Sequence, residues 1–205
     1  PRLPRVRIDD AHVGRLAAEH YLYRGFRNFA FVGVSGALLS DQREQAFRET
    51  IGRHGGACRC LHEQDFRHYY NVSDWSREDR ILADWLGNLP TPVAIFTSSD
   101  YLALPIAETC HVLGLRIPED VALLGADNDD VLCNLTYPPL SSIDPKPDRV
   151  GYEAAAILDR LMNDEPPPEQ ESLITPLGVT VRTSSDILAL RDEHLAVALR
   201  FIRDR

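Results

Sequence analysis

The chain has 205 residues, with 22 Lys and Arg against 31 Asp and Glu, so its formal net charge at pH 7 is −9. Such an acidic chain repels phosphates, which argues against nucleic acid as a direct partner of this segment. With 44% hydrophobic residues, the chain can bury the core of one or two domains. No apolar run reaches the ~18 residues of a membrane span, and the first residues form no hydrophobic leader. The composition therefore predicts a water-soluble protein without a membrane partner.

The first two thirds of the chain alternate between helical spacing and short apolar runs. Val13, Leu16, Ala17 and Tyr21 recur at helical intervals, which predicts a helix that ends near Gly25. Nearly continuous apolar runs are typical of strands buried on both faces of a parallel sheet. They predict strands at 28–34, 93–96 and 121–125, a short strand at 57–61, and helices at 42–54, 76–86 and 99–114. This alternation indicates an α/β fold with a parallel sheet flanked by helices.

The last third of the chain predicts a different set of elements. A proline-rich loop covers 138–147, candidate strands lie at 173–174 and 179–181, a polar linker at 182–186, and a last helix at 192–203. Between them, a helix is predicted at 150–162. Five of its residues are expected to face mostly inward, namely Tyr152, Ala155, Ala156, Leu158 and Leu161.

The four cysteines stand at positions 58, 60, 110 and 133. A chain of this size has a core of its own and needs no disulfides, so a reduced, cytoplasmic setting is predicted. Cys58 and Cys60, with His54 and His62 on either side, could indicate a metal, but no second pair follows at zinc spacing. Buried or half-exposed thiols on strands are the favoured interpretation, and no metal or cofactor is predicted.

Polar clusters follow the apolar runs of the predicted sheet. They are Asp9-Asp10, Ser40-Asp41-Gln42-Arg43, Ser98-Ser99-Asp100 and Asp127-Asn128-Asp129-Asp130, and Asp74-Trp75 stands near the start of a helix. Ligands of open parallel sheets bind at the carboxyl ends of the strands, where these clusters would converge. Carboxylates, an amide, a guanidinium and a Trp face are together the parts of a carbohydrate pocket.

Simpler interpretations remain open for each cluster taken alone. Asp10 and Asp100 also fit helix caps, residues 127–130 also fit a solvated turn, and Trp75 also fits a core anchor. Enzymatic interpretations are weaker, because the chain contains no G-x-S-x-G elbow, P-loop or H-E-x-x-H motif. Nothing in the sequence places two carboxylates at the separation that glycoside hydrolysis requires. We therefore predict that the protein is not an enzyme.

Ten short motifs resemble the effector domains of lactose- and galactose-repressor-type (LacI/GalR-type) regulators, and they extend over residues 6–185. The motifs are Val6–Asp10, Leu16–Leu22, Arg24–Phe26, Phe29–Gly33, Arg43–Phe47, Ala94–Leu104, Gly114–Val121, Gly125–Asn128, Pro138–Ile143 and Val181–Ser185. This resemblance implies a type I periplasmic-binding-protein-like fold, with two lobes that close on a sugar.

The tail resembles a second family. Residues 192–203 look like the first helix of an arabinose-regulator-type (AraC-family) DNA-binding domain, which the chain would contain only in part. Sugar-responsive activators that join these two modules also resemble the chain at 82–86 and 88–90. The resemblance therefore implies a xylose or related pentose effector, DNA as a partner through a C-terminal domain missing from this chain, and a homodimer. A periplasmic sugar-binding protein of a transporter is the alternative.

The resemblance also implies boundaries and site residues. The effector domain would cover 1–185, with a C-terminal lobe of about 34–125 plus 170–183. Residues 1–33 and 141–164 would be remnants of a first lobe whose start is missing, either packed on the rest or exchanged between copies. Residues 186–205 would form a linker and the truncated helix. Asp9, Arg43, Trp75, Asp100 and Asp127 would line the cleft, with Asp10, Ser99 and Asn128 beside them. In this arrangement Asp9 and Asp127 accept sugar hydroxyls, Arg43 donates and Trp75 stacks.

Overall fold

The computed structural model describes residues 3–62 and 75–189, with the backbone alone for residues 75–79. Strands and helices alternate along most of this length. In chain order they are β1 (Val6–Ile8), α1 (Asp10–Tyr23), β2 (Asn28–Gly33), α2 (Leu38–Arg53), β3 (Cys58–His62), α3 (Trp75–Gly87), β4 (Val93–Thr97), α4 (Asp100–Leu113), β5 (Val121–Ala126), α5 (Asp130–Leu135), β6 (Ser141–Asp144), α6 (Pro147–Met162), β7 (Ser172–Ile174) and β8 (Gly178–Thr180).

Six of the strands form one sheet in the order β3-β2-β4-β5-β6-β8. The first five are parallel, and β8 runs antiparallel to β6 at the edge. Strands β4 and β5 are buried at every residue, as their continuous apolar runs require in a sheet covered on both faces. The predicted α/β class with a parallel sheet is therefore what the chain forms.

Two hydrophobic clusters cover the two faces of this sheet. One face packs on α1 and α2 through Val13, Tyr21, Phe47 and Ile51, together with Phe96 of β4. The opposite face packs on α3 and α4, and its members include Leu82, Leu86, Ile95, Ile106 and Leu123. Alternate residues of each strand belong to opposite clusters, because successive side chains of a strand point to opposite faces of the sheet. The sheet is thus held rigidly by packing on both faces, and the loops at its carboxyl edge can vary in sequence.

Several features of the described residues differ from the sequence predictions. The proline-rich loop predicted at 138–147 contains β6, which forms because Ser141 and Ser142 satisfy their polar groups by tertiary hydrogen bonds. Residues 130–135 form the short helix α5, which Asp129 caps. Cys110 and Cys133 are buried on helices, and only Cys58 and Cys60 lie on a strand; all four thiols are free.

A second, two-stranded parallel sheet pairs β1 with β7, and α6 packs against both strands. The chain therefore does not follow the lobe boundaries of 34–125 plus 170–183. Strand β2 lies before residue 34 but pairs with β3 and β4, and β6 at 141–144 also belongs to the large sheet. Strand β7 lies within 170–183 but pairs with β1. Hydrogen-bond register, rather than position along the chain, assigns each strand to its sheet.

The inward face predicted for α6 is wrong. Tyr152 and Leu158 are 66% and 57% exposed, Ala155 is also exposed, and Ile157 is the one buried residue of the helix. Ala156 and Leu161 are only partly buried. The small sheet has two strands and covers little of the apolar side of the helix, so helical spacing alone overestimated its burial.

The polar linker predicted at 182–186 is also wrong. Residues 183–185 form a 3-10 turn, in which Ser184 and Ser185 are fully buried. Polar residues are buried where their hydrogen bonds are satisfied, and Ser184 Oγ donates to the carbonyl of Leu123 at 2.6 Å. The helix predicted at 192–203 lies outside the described residues. Within the described ranges, no helix is both long and apolar enough to cross a membrane.

Candidate functional site

Arg43 joins three chain segments at the carboxyl edge of the large sheet. Its side chain is 2% exposed, and its Nε donates to Asp10 Oδ1 at 2.8 Å. Its Nη1 donates to the carbonyl oxygen of Ser98 at 2.6 Å and to Asp127 Oδ1 at 3.3 Å. A buried guanidinium is stable only where such acceptors replace water. The predicted convergence of Asp10, Arg43 and Asp127 is therefore present in the structure.

Asp127 is the accessible carboxylate of this group. Its side chain is 46% exposed and follows the last residue of β5, with a φ of 119°. Loss of hydration and the nearby carboxylates of Asp100 and Asp10 raise its pKa, and the Arg43 guanidinium opposes them, which leaves the pKa at about 6. The exposure of the side chain means that solvent screens part of this effect. The carboxylate is thus held by one donor and keeps acceptor capacity toward solvent.

Asp100 is completely buried, at 0% exposure. Its Oδ1 accepts from Ser142 Oγ at 2.5 Å, and its Oδ2 accepts from the backbone N–H of Asp129 at 2.8 Å and from Cys133 Sγ at 3.5 Å. Burial raises its pKa, and these hydrogen bonds oppose the rise. The sequence predicted that Asp100 lines the cleft. In this conformation its side chain is buried instead, and it holds the loop between β5 and α5. Gly125 permits this, because a Cβ there would overlap Asp100 Oδ1.

Asn128 is committed to protein partners. Its backbone N–H donates to Ser142 Oγ at 3.0 Å, and its side-chain Nδ2 lies 3.5 Å from Asp144 Oδ2. Its Oδ1 accepts from Arg182 Nη2 at 3.0 Å. With a φ of 50°, the residue occupies the left-handed region, which Asn tolerates better than most residues. Asn128 therefore stabilises the loop on which Asp127 is presented.

The remaining predicted residues lie at helix starts. Asp9, rather than Asp10, caps α1 by accepting from the N–H of His12 at 2.8 Å, and its other oxygen lies 3.6 Å from Arg15 Nη2. Ser99 occupies the cap position of α4, but its side chain makes no capping hydrogen bond. Trp75 is the first residue of α3, and its side chain lies outside what the structure describes.

Sequence reasoning missed Ser142 and Arg182. Both sit in segments that were interpreted as a loop and a linker, because their hydroxyl-rich and charged residues resemble solvated turns. The apolar pair Leu140 and Ile143 around the two serines was the available signal for a strand. No local signal indicates Arg182, since its partners lie 42 to 54 positions away along the chain.

Comparisons with known proteins place this chain in a family. Residues 18–185 match the periplasmic binding protein-like domain, and the chain belongs to that family. The xylose operon regulatory protein of Escherichia coli (strain K12) is 30% identical over 213 residues, an alignment that covers 100% of this chain and 52% of that protein. The chain thus spans about half the length of the curated relatives it matches.

Solved structures agree with this assignment. The structure of the xylose-binding transcription activator xylR matches with a TM-score of 0.84 at 29% identity, covering 99% of this chain and 53% of that one. A LacI-family regulatory protein from Corynebacterium glutamicum matches with a TM-score of 0.70 at 25% identity, covering 89% and 67%. The periplasmic-binding-protein-like fold and the similarity to LacI-type regulators, both predicted from the sequence motifs, are confirmed.

Proposed function

We propose that this chain is the effector-sensing part of a sugar-responsive transcription regulator, and that its effector is xylose or a related pentose. The observation that carries the proposal is the Arg43 network, which holds the partly exposed carboxylate of Asp127 at the carboxyl edge of the sheet. Similarity to the xylose operon regulatory protein supports the choice of sugar.

The charge of the site favours a neutral ligand. Four carboxylates lie at this edge, from Asp9, Asp10, Asp100 and Asp127, and Arg43 is already paired with two of them. Among the described residues at this edge, Arg43 is already paired with Asp10 and Asp127, so an anionic ligand such as a sugar phosphate would meet net negative charge and its lost hydration would be poorly replaced. A neutral sugar instead donates its hydroxyls to carboxylates, which prefer such donors.

Three predicted residues fit this chemistry. Asp127 keeps acceptor capacity beside its bond to Arg43, so it can accept a sugar hydroxyl. The Ser99 hydroxyl makes no capping bond and stands at the N-terminus of α4, where it can donate or accept. Trp75, at the start of α3, would supply an aromatic face for the C–H side of the sugar ring. Asp10, Asp100 and Asn128 would hold these groups in position.

The rest of the proposed protein follows from the resemblance of the tail. Residues 186–205 would form a linker and the first helix of an AraC-type DNA-binding domain; Leu195, Leu199 and Ile202 stand at helical spacing there. The regulator would act in the cytoplasm as a homodimer, with a separate basic module making the phosphate contacts. We propose no catalytic activity, since Arg43 is paired with Asp10 and Asp127 and the buried Asp100 carboxylate accepts from Ser142, the Asp129 N–H and Cys133.

A fluorescence titration of the full-length protein tests the proposal. Tryptophan emission is followed while xylose, ribose, arabinose, glucose or galactose is added. We expect saturable quenching by one pentose, which is lost in Trp75→Phe and kept in Trp85→Phe, because Trp85 packs on the hydrophobic core below α3 and α4. A folded protein whose tryptophan emission is unchanged by all five sugars would contradict the proposal.

Binding to DNA separates a regulator from a transport protein of the same fold. A mobility-shift assay with DNA from upstream of the protein's own gene is run with and without the pentose that quenches. We expect a shift whose midpoint depends on the sugar. Sugar binding without any DNA binding would favour the alternative, a periplasmic sugar-binding protein.

A further inference from the structure

The segment of residues 182–189 is docked on the lobe that carries the candidate site. Ser184 Oγ accepts from the N–H of Ser141 at 2.8 Å, and the N–H of Ser184 donates to the carbonyl of Pro139 at 3.0 Å. Ile187 and Ala189 pack against the hydrophobic cluster beside α1 and α2. This segment leads directly to residues 190–205 of the chain.

The Arg182 side chain bonds both the site loop and the residue that precedes β6. Its Nη2 donates to Asn128 Oδ1 at 3.0 Å and lies 3.4 Å from Asp130 Oδ1, and its Nη1 donates to the carbonyl of Leu140 at 2.9 Å. The side chain is 16% exposed. A planar guanidinium that satisfies acceptors on two segments fixes their relative position more strongly than a single bond does.

The loop that Arg182 contacts has two consecutive non-glycine residues at positive φ. Asp127 and Asn128 have φ values of 119° and 50°. Such conformations persist only where surrounding contacts impose them, and here those contacts come from Arg182, Ser142 and Asp100. Conformational change in this loop therefore breaks or strengthens the Arg182 contacts.

Helix α1 makes a second connection between the site and the segment. Its first residue, Asp10, bonds Arg43, and about 20 Å away its last turns contact the docked segment. His20 Nε2 lies 2.9 Å from Ser185 Oγ, and Arg24 Nε donates to the carbonyl of Ser185 at 3.1 Å. The carbonyl of Arg24 accepts from the N–H of Ala189 at 2.8 Å. These contacts hold the segment but do not reach the loop at Asp127.

We infer that Arg182 is a positioning residue that couples ligand binding at Asp127 to the docking of residues 182–189. This inference rests on the proposed function. A ligand that bonds Asp127 favours one loop conformation, and Arg182 transmits that preference to the docked segment. Since such coupling is reciprocal, loss of docking lowers the ligand affinity by the same factor.

Hydrogen exchange in the full-length protein tests this coupling. Exchange of the backbone amides of residues 183–189 is measured by mass spectrometry with and without saturating xylose, and affinity is measured by calorimetry. In the wild type we expect xylose to change the exchange rate about fivefold or more. In Arg182→Gln we expect the ratio of the exchange rates with and without xylose to fall below about twofold. We also expect the xylose affinity of this variant to be about 2- to 30-fold weaker.

Arg24→Gln is the matched control, because Arg24 contacts the docked segment but not the site loop. We expect faster exchange in this variant with and without xylose, and an unchanged ratio. Should Arg182→Gln not fold, Arg182→Lys keeps the charge but replaces the planar fork, whose two nitrogens bond Leu140 and Asn128 separately, by a single nitrogen, so the ratio should fall at least by half.

The outcomes separate the two proposals. A wild-type ratio in Arg182→Gln or, where that variant does not fold, in Arg182→Lys overturns the coupling. Saturable xylose binding with unchanged exchange in the wild type also overturns the coupling, while the proposed function stands. Absence of binding by any sugar of the panel overturns both.

Discussion

The two sheets of this molecule bury the apolar residues around them to different degrees. In the six-stranded sheet, Ile95, Phe96 and Leu123 are fully buried between helices on both faces. In the unit of β1, β7 and α6, Tyr152 and Met162 are 66% and 76% exposed. Both regions carry the residue spacing of packed elements. The difference teaches that amphipathic spacing identifies the face that can pack, whereas topology decides how much of it is covered.

The largest expected effect contrasts the two hydrophobic surfaces. Phe96→Ala removes a ring that packs against Phe31 and Phe47, so we expect the free energy of unfolding to fall by about 3–5 kcal/mol. Leu158→Ala on α6 should change it by less than about 0.5 kcal/mol, because the side chain is mostly exposed. Urea unfolding followed by circular dichroism measures both. Equal losses would show that the exposed face of α6 is covered in solution.

The second prediction contrasts ion pairs. Asp10→Ala leaves the buried Arg43 without its Nε partner, and we expect a loss of about 3 kcal/mol, near the lower end for a broken buried pair because Ser98 and Asp127 remain. Glu153→Ala breaks a partly exposed pair with Arg149 on α6 and should lower stability by less than about 1 kcal/mol. Urea unfolding of the two variants side by side checks this. A loss for Asp10→Ala no larger than that for Glu153→Ala would contradict the role of Arg43 as the residue that holds the site together.

The third prediction uses one glycine from each region. Gly125→Ala brings a methyl group against the Asp100 carboxylate, and we expect destabilisation of about 1–3 kcal/mol. Gly151 in α6 has open space around its Cα, so Gly151→Ala should stabilise the helix by about 0.5–1 kcal/mol. Thermal unfolding distinguishes the two signs. A neutral Gly125→Ala would indicate that Asp100 does not press against β5.

The smallest expected effect concerns pH. Burial of His20, with a smaller contribution from Arg24, lowers the pKa of the imidazole to about 3. Because the unfolded chain binds this proton near pH 6.5, stability is lost as the pH falls below that value. Between pH 6 and 5 we expect a loss of about 1 kcal/mol that is absent in His20→Gln. Urea midpoints at the two pH values measure it, and identical pH dependence in the variant would refute the neutral buried imidazole.

Local patterns predicted the elements whose burial depends on continuous apolar runs or helical spacing. Strands β2, β4 and β5 and helices α1 and α4 belong to this group, and so does the convergence of Asp10, Arg43 and Asp127 at the carboxyl edge. Strand β6 and the turn at 183–185 were missed, because their hydroxyls are buried only through partners distant in the chain.

The role of Asp100 was also beyond the sequence. Its position after β4 predicts a place at the carboxyl edge of the sheet, where the residue lies, but the burial of its carboxylate depends on Ser142 and on the glycine at position 125. Arg182 likewise gains its role from contacts with Asn128 and Leu140 that no local spacing encodes.

Calorimetric titration of the full-length protein with D-xylose tests the central claim most directly, with wild type, Asp127→Ala and the exposed control Asp159→Ala compared. We expect Asp127→Ala to bind about 5- to 150-fold more weakly, since a sugar hydroxyl and Arg43 both lose a partner, which corresponds to about 1–3 kcal/mol. Asp159→Ala should bind like the wild type. Equal affinity of Asp127→Ala and wild type would contradict the account, because the ligand would then not contact the carboxylate that the Arg43 network presents.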